Sequence, residues 1–281
     1  MLKQYLSIKE QYPDAILFYR MGDFYEMFFE DAQVASPILE ITLTSRNKND
    51  ASPVPMCGFP HRAARGYIAK LISHGYKVAV CDQVEDPAKA KGLVKRDVVR
   101  VITPGMIIEN ELLDERANNY VLAVACKDGF IGIAYLDIST GTFRAVESRD
   151  SAAVIEEIRR VAPSEVLLAE SSKNDLFFSP IIKVLSEISI SYLESKAFEY
   201  KSGYERLTAQ FQTVTLEGFG CENMKAVVCA AGAVVFYVRE TQKQRIEHLT
   251  RIETYWLDKY LLVDDQSRQN LELFKNIRTG T

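Results

Sequence analysis

The chain lacks paired cysteines, a histidine cluster, a phosphate-binding loop and any long apolar run. Its five cysteines, Cys57, Cys81, Cys126, Cys221 and Cys229, are odd in number and form no Cys-x-x-Cys. Cys81 and Cys126 lie inside apolar, strand-like runs, so all five read as free thiols and not as disulfides or zinc ligands. The three histidines, His61, His74 and His248, stand far apart, which argues against a metal site. His74 precedes Gly75 at a helix end, where a cation suits the dipole. No G-x-x-x-x-G-K-S/T occurs, so a P-loop nucleotide site is absent from the sequence. The longest apolar run, Ala226 to Val238, falls short of the roughly 18 residues that a membrane helix needs. The opening MLKQYLSIKEQ has no apolar signal-peptide core, so a cytoplasmic location is expected.

An excess of positive charge is also missing. The net charge is −4 and the isoelectric point is near 5.6, which taken whole argues against a nucleic-acid binder. The distribution is uneven. Residues 1–105 carry 14 Lys and Arg against 12 Asp and Glu, residues 106–240 carry 13 against 20, and residues 241–281 carry 7 against 6. The acidic excess is confined to the middle. A basic run, Lys89, Lys91, Lys95, Arg96 and Arg100, surrounds Gly92. It is either a solvated loop or an edge that can track a phosphate backbone.

What is present is enough for a folded core: 47% of the 281 residues are hydrophobic and 26% charged. The length suggests about two domains. Leu2, Tyr5, Leu6 and Ile8 recur at helical spacing until Pro13. Ala15 to Tyr19 reads as a strand and Met21-Gly22-Asp23 as a turn. Phe24 to Leu39 reads as a helix with Met27, Phe28, Ala32, Ala35 and Leu39 inward. Ile41 to Thr44 is a strand, Arg46 to Pro55 a polar loop, and Ala63 to His74 a helix closed by Gly75. Strands follow at Lys77 to Gln83 and Val98 to Thr103. Residues 1–105 are therefore a small mixed α/β domain, and 106–117 a polar linker containing ENELLDER.

A second domain spans 118–240. Tyr120 to Cys126 and Phe130 to Ile138 flank an Asp128-Gly129 hairpin signal, and Thr142 to Glu147 is a third strand. Asp150 or Ser151 caps a helix to Val161. A strand at Glu165 to Ala169, a helix at Ser179 to Leu185, a strand at Ile188 to Tyr192 and a helix at Asn223 to Glu240 follow. Residues 196–218 give no clear pattern. Three antiparallel strands followed by α, β, α, β, α is the order of a ribonuclease-H-like α/β fold. Residues 241–281 are expected to be a mostly helical third segment, cut short. Gln242 to Ile252 is its predicted helix, and Tyr260 to Val263 and Leu271 to Phe274 are its apolar stretches.

The stretch that can carry chemistry is Arg20-Met21-Gly22-Asp23-Phe24-Tyr25-Glu26. One reading is structural: Asp23 caps the helix, Glu26 sits in its first turn and Phe24 packs. The other is functional. The helix has a sufficient apolar face without Phe24, and a ring beside a carboxylate at a glycine-flanked corner can probe a nucleobase.

FYRMGDFYEMF, PVPMCGFPHRA and the segment from Tyr76 to Gly105 together resemble the N-terminal mismatch-binding domain of the MutS family of DNA mismatch repair proteins. The hairpin and LDISTGTF resemble the family's connector domain, and VDDQSRQNLELF resembles the start of its core domain. The resemblance maps the family's Phe-x-Glu motif onto Phe24 and Glu26. It implies that Phe24 wedges into the duplex from the minor groove and stacks on a mispaired base, while Glu26 hydrogen-bonds that base. Arg46, Lys48, Arg62, Lys95 and Arg96 are candidate phosphate contacts. It further implies that mismatched double-stranded DNA and MutL are partners. ATP, magnesium and the homodimer belong to a C-terminal domain absent from this sequence. The chain by itself is then expected to be a monomer without a cofactor that binds DNA weakly and in a salt-sensitive way.

Two other functions remain to be weighed. A metal-dependent nuclease on the ribonuclease-H-like fold would use Asp137, but the neighbouring strand Tyr120 to Cys126 offers no acid. Asp137 is better suited to shaping the Asp-Ile-Ser-Thr-Gly turn. A purely protein-binding module would use the acidic segment 106–240.

Overall fold

The computed structural model describes residues 1–46, 53–85, 92, 94–107, 118–185, 188–243 and 246–257. The apolar stretches predicted beyond residue 257, Lys48, Lys89, Lys91 and most of the 106–117 linker lie outside the described residues. Among the described residues no helix is long and apolar enough to cross a membrane.

The first unit is a six-stranded sheet between helical layers. Its elements run α1 (Leu2–Lys9), β1 (Ala15–Met21), β2 (Phe24–Phe28), α2 (Phe29–Leu39), β3 (Thr44–Arg46), β4 (Val54–Pro60), α3 (Ala64–Ser73), β5 (Lys77–Gln83) and β6 (Arg96–Ile102). The strand order is β3-β4-β2-β1-β5-β6. Only the β1–β5 pair is parallel. One sheet face carries Ala15, Leu17, Tyr19, Phe28, Ala79 and Cys81 and is covered by Tyr5 and Ile8 of α1. The opposite face carries Ile16, Phe18, Tyr25, Met27, Val78 and Val80 under α2 and α3. Asp31 is the buried tie on the α1 side. It accepts hydrogen bonds from the Tyr5 hydroxyl (2.9 Å), Lys9 Nζ (2.9 Å) and the Leu17 amide (3.0 Å).

This unit differs from the sequence reading where it matters most. Residues 24–28 form a strand and not the first turns of a helix. Gly22, at φ +56°, makes a two-residue hairpin turn with Asp23, so the chain reverses at once and β2 pairs back along β1. Along β2 exposure falls from Phe24 to a buried Tyr25, rises again at Glu26, and ends at buried Met27 and Phe28. The helix begins only at Phe29, and Phe28 at its N-cap makes no side-chain bond. Asp23 therefore caps nothing. The strand Val54–Pro60 was hidden by its prolines and glycine, although Pro55 and Pro60 have ordinary partners in Ser45 and Phe24.

The second unit continues with β7 (Tyr120–Lys127), β8 (Phe130–Asp137), β9 (Thr142–Ser148), α4 (Ser151–Val161), β10 (Glu165–Ala169), α5 (Ser179–Val184), β11 (Ser189–Leu193), α6 (Tyr200–Phe211), α7 (Lys225–Gln242) and β12 (Glu253–Thr254). The sheet order is β11-β10-β7-β8-β9-β12. β7, β8 and β9 are antiparallel, and β10 and β11 join in parallel on the β7 side, as the ribonuclease-H-like reading requires. Asp150 caps α4 by accepting from the amides of Ala152 (2.9 Å) and Ala153 (3.3 Å). The predicted helix from Gln242 to Ile252 is not found among its described residues: Gln242 ends α7, and 246–252 are turn and irregular chain. Ile246, Leu249 and Ile252 instead pack into the second core, and β12 adds to the sheet edge beside β9.

α7 is apolar on nearly all sides because it is enclosed on nearly all sides. Its glycine meets a glycine of α6: a Cβ on Gly232 would lie 2.3 Å from the Gly203 Cα. Gly232→Ala gains up to about 1 kcal/mol of helix propensity. Forcing the helices apart costs more, about 1–3 kcal/mol. We expect a net loss, read as a lower urea midpoint at unchanged slope. A midpoint raised by the substitution would show that the helices separate freely.

Candidate nucleic-acid interface

The β1–β2 hairpin sets Phe24 at one end of the first sheet. Two contacts hold its turn. Arg20 Nε donates to the Gly22 carbonyl (2.5 Å), and the His61 amide donates to the Asp23 carbonyl (2.8 Å). Phe24 follows the turn, paired with Met21 on β1 and Pro60 on β4. Its side chain is not enclosed: Phe24 remains 46% exposed, beyond the cover of α1.

The neighbouring Tyr25 anchors the hairpin from the other face. Its hydroxyl donates to Asp82 Oδ1 (2.9 Å), and the Arg20 guanidinium lies 5.6 Å from its ring centre. Burial, reinforced by Asp82, pushes the Tyr25 hydroxyl up to about 12. The hydroxyl therefore stays a donor at any working pH.

Glu26 returns to the face of Phe24, as strand alternation requires. It is ion-paired with Arg46, with Nη1 3.7 Å from Glu26 Oε2. That is beyond hydrogen-bonding distance, and Oε2 is buried with no hydrogen-bond partner among the described residues. Burial raises the Glu26 carboxyl above its ordinary range, and Arg46 opposes the shift without cancelling it. A carboxyl oxygen that is buried beside an exposed ring, held by an ion pair to Arg46 but by no hydrogen bond among the described residues, calls for an explanation.

The predicted cations separate into different places. Arg46 faces Glu26. Arg62 is exposed, two residues past Pro60, the partner of Phe24. Lys95 is exposed beside the start of β6, whose first residue pairs with Gln83 at the end of β5. Because β5 runs parallel to β1, Lys95 falls at the hairpin end of the sheet. Arg96 does not point outward as expected. It is 8% exposed, donates to the Arg20 carbonyl (2.7 Å) and the Val94 carbonyl (2.9 Å), and lies 5.0 Å from the Tyr19 ring centre. Those contacts brace β1 beneath the turn and leave its guanidinium no open side for a phosphate. Sequence reasoning missed His61 and Gly58; a glycine inside a strand was the available signal for the second.

In the second unit Asp137 is occupied. One oxygen accepts from the Ser139 amide (2.9 Å), the Ser139 hydroxyl (2.6 Å) and the Thr140 amide (3.3 Å), and the other from the Asn119 amide (3.3 Å). It closes the turn into β9. Among the described residues no three His, Cys, Asp or Glu side chains converge as a metal site. All five cysteines are free; Cys126 is exposed and the others buried.

The description MutS domain I matches residues 1–111, and MutS domain II matches residues 119–250. A DNA mismatch repair protein MutS from Desulfosudis oleivorans is 58% identical over 280 residues, covering 100% of this chain and 32% of the relative. Those from Desulforapulum autotrophicum and Halothermothrix orenii are 53% and 45% identical, over 100% and 99% of the chain and 32% and 31% of the relatives. The chain thus spans about a third of the length of these curated relatives. With both domain descriptions matched in order and such identities along its whole length, the chain belongs to the MutS family and carries its domains I and II.

Proposed function

We propose that the chain recognises mispaired or unpaired bases in duplex DNA and so serves mismatch repair. The observation that carries this reading is the exposed Phe24 ring at the hairpin tip, beside a carboxyl whose buried oxygen accepts no hydrogen bond among the described residues. Phe24 is the wedge. Stacking a base on an aromatic ring is worth about 1–3 kcal/mol, whereas opening an intact step costs a few kcal/mol. A mismatch has already lost part of its pairing and stacking, so the exchange becomes favourable there first. Recognition then reads deformability and not base sequence. Arg62 and Lys95 supply phosphate contacts at the same end of the sheet.

Glu26 adds selectivity in two ways. As a carboxylate it repels intact DNA, and as a partly protonated acid it donates to an acceptor on the displaced base. Its raised proton affinity favours the second role. The sign of the pH dependence follows. As pH rises through the raised midpoint, Glu26 loses its proton and with it the donation to the displaced base, while its repulsion of intact DNA grows; the lost bond acts at contact and outweighs a repulsion that salt screens, so the preference for mismatched DNA declines. The same burial adds stability that is present at low pH and lost as pH rises through that midpoint.

The experiment is fluorescence anisotropy with mismatched and matched duplexes at low and moderate salt. We expect weak binding that falls steeply with salt, with the mismatched duplex preferred. Glu26→Ala should tighten matched binding and weaken mismatched binding, lowering the preference about 5-fold or more. Glu26→Gln should keep a preference that no longer varies with pH. Equal affinity of the unaltered protein for both duplexes overturns the reading.

In the longer relatives' setting, we assign relay to MutL to the acidic second domain, and ATP, magnesium and homodimer contacts to regions outside this chain. A purely protein-binding role complements DNA recognition and does not replace it. The nuclease reading has no support from Asp137, whose oxygens are committed to a turn.

A further inference from the structure

We propose that Gly58 is a positioning residue for Glu26: the side chain it lacks leaves the space in which the Glu26 side chain lies. The proposal rests on the reading of Glu26 above. Gly58 is the direct cross-strand partner of Glu26 in the β2–β4 pair, so both residues face the same side of the sheet.

The usual reasons for a glycine do not apply here. Gly58 does not adopt a positive φ, so its backbone is open to any residue. It is exposed, so core packing does not require it to be small. What remains is close approach. A Cβ at Gly58 would lie 2.8 Å from the Tyr25 carbonyl oxygen, 3.3 Å from Glu26 Cγ and 3.5 Å from Glu26 Cα. The first distance is closer than real Cβ atoms come, and its partner is backbone, so the adjoining part of β2 must shift. The second is tight, and its partner is the stem of the carboxyl itself. Either adjustment moves Glu26.

The present placement is specific. Glu26 Oε2 is buried and without a hydrogen bond among the described residues, and Arg46 reaches it from β3 at 3.7 Å. Tyr19 lies opposite Glu26 on the β1 side. Glycine at position 58 lets the carboxyl stem lie low against the sheet. A methyl group there lifts the carboxyl toward solvent and away from the level of the Phe24 ring. The proposal makes an exposed, unstrained glycine a determinant of mismatch preference although it contributes no side-chain atom to the DNA.

The test uses the whole chain with carbon-13-labelled glutamate. Gly58→Ala should lower the Glu26 titration midpoint toward its ordinary range by about half a pH unit or more, while the other glutamates titrate as before. It should also lower the preference for mismatched over matched duplex about 5-fold. On a Glu26→Ala background the same substitution should change the preference less than about 2-fold. A folded Gly58→Ala protein with an unmoved Glu26 midpoint overturns the proposal, as does an equal loss of preference on both backgrounds. If Gly58→Ala destabilises the chain, Glu26→Ala should restore the share that comes from the contact with Glu26 Cγ and leave the share that comes from the Tyr25 carbonyl; a double variant as unstable as the single overturns the proposal too. A midpoint that moves while Glu26→Ala leaves the preference unchanged sinks the recognition reading and keeps the positioning.

Discussion

Phe24→Ala is expected to erase the preference for mismatched DNA while leaving the protein as stable as before. The two halves of this expectation have separate causes. Removing the ring removes the stacking surface, worth about 1–3 kcal/mol or roughly 5- to 150-fold in mismatched affinity. Matched DNA loses little, because an intact step resists the wedge and is held through phosphates instead. Stability holds because Phe24 is 46% exposed and lies outside both core clusters of the first unit. The hairpin does not depend on the ring. It is secured by the Gly22 turn, the His61 amide and the Tyr25–Asp82 bond beneath. Anisotropy with both duplexes, paired with thermal melting, checks the prediction. Phe24→Trp keeps a stacking face and should retain the preference. An alanine variant that still favours mismatched DNA by the original ratio would remove Phe24 from the mechanism.

That pairing of exposed ring and secured hairpin also shows what sequence could and could not reveal. The motif Phe24-x-Glu26 was visible, and so was the order of the second sheet, because its strands alternate cleanly and Asp128-Gly129 marks their hairpin. The local structure around the motif was misread. Met27, Phe28, Ala32, Ala35 and Leu39 do fall at helical spacing, but the first two face opposite sides of the sheet from a strand, and the rest face the core from the helix that follows. A five-residue strand running straight into a helix leaves a periodic pattern that a single helix mimics. The misreading had consequences. A helix would separate Phe24 and Glu26 by about 200° around its axis, whereas alternate residues of a strand share a face. Only the strand puts ring and carboxyl side by side. Arg96 illustrates a second limit. Its charge and its place in a basic run suggest solvent, yet carbonyl acceptors and a tyrosine face compensate its burial, and two of those partners, Arg20 and Tyr19, come from far along the chain.

The largest effect on stability should come from Glu165, which no charge count marks out. It is fully buried at the start of β10 and gathers donors from both units. Oε2 accepts from the Thr103 hydroxyl (2.6 Å) and the Gly105 amide (3.1 Å), just past the end of β6. Oε1 accepts from the Tyr237 hydroxyl of α7 (2.6 Å) and from the Ser191 hydroxyl of β11. The approach is close enough that a Cβ on Gly105 would sit 2.8 Å from the Glu165 Cβ. Glu165→Ala strands four donors at a buried site, each costing about 1–3 kcal/mol when left without an acceptor. Relaxation recovers part of that, so we expect a loss of about 3 kcal/mol or more. Glu165→Gln separates charge from geometry. Its amide oxygen can serve Tyr237 and Ser191, and Thr103 can turn its hydroxyl to accept from the amide nitrogen. The Gly105 N–H has no such freedom and meets another donor, so the loss should be intermediate, about 1–2 kcal/mol. Urea unfolding measures the order, and hydrogen exchange at the Gly105 amide locates it: exchange should quicken in both variants. Because this staple lies away from the hairpin tip, Glu165→Gln should lower stability without changing the ratio of mismatched to matched affinity. A ratio that collapsed together with stability would mean that the junction between the two units, and not the tip alone, sets the selectivity.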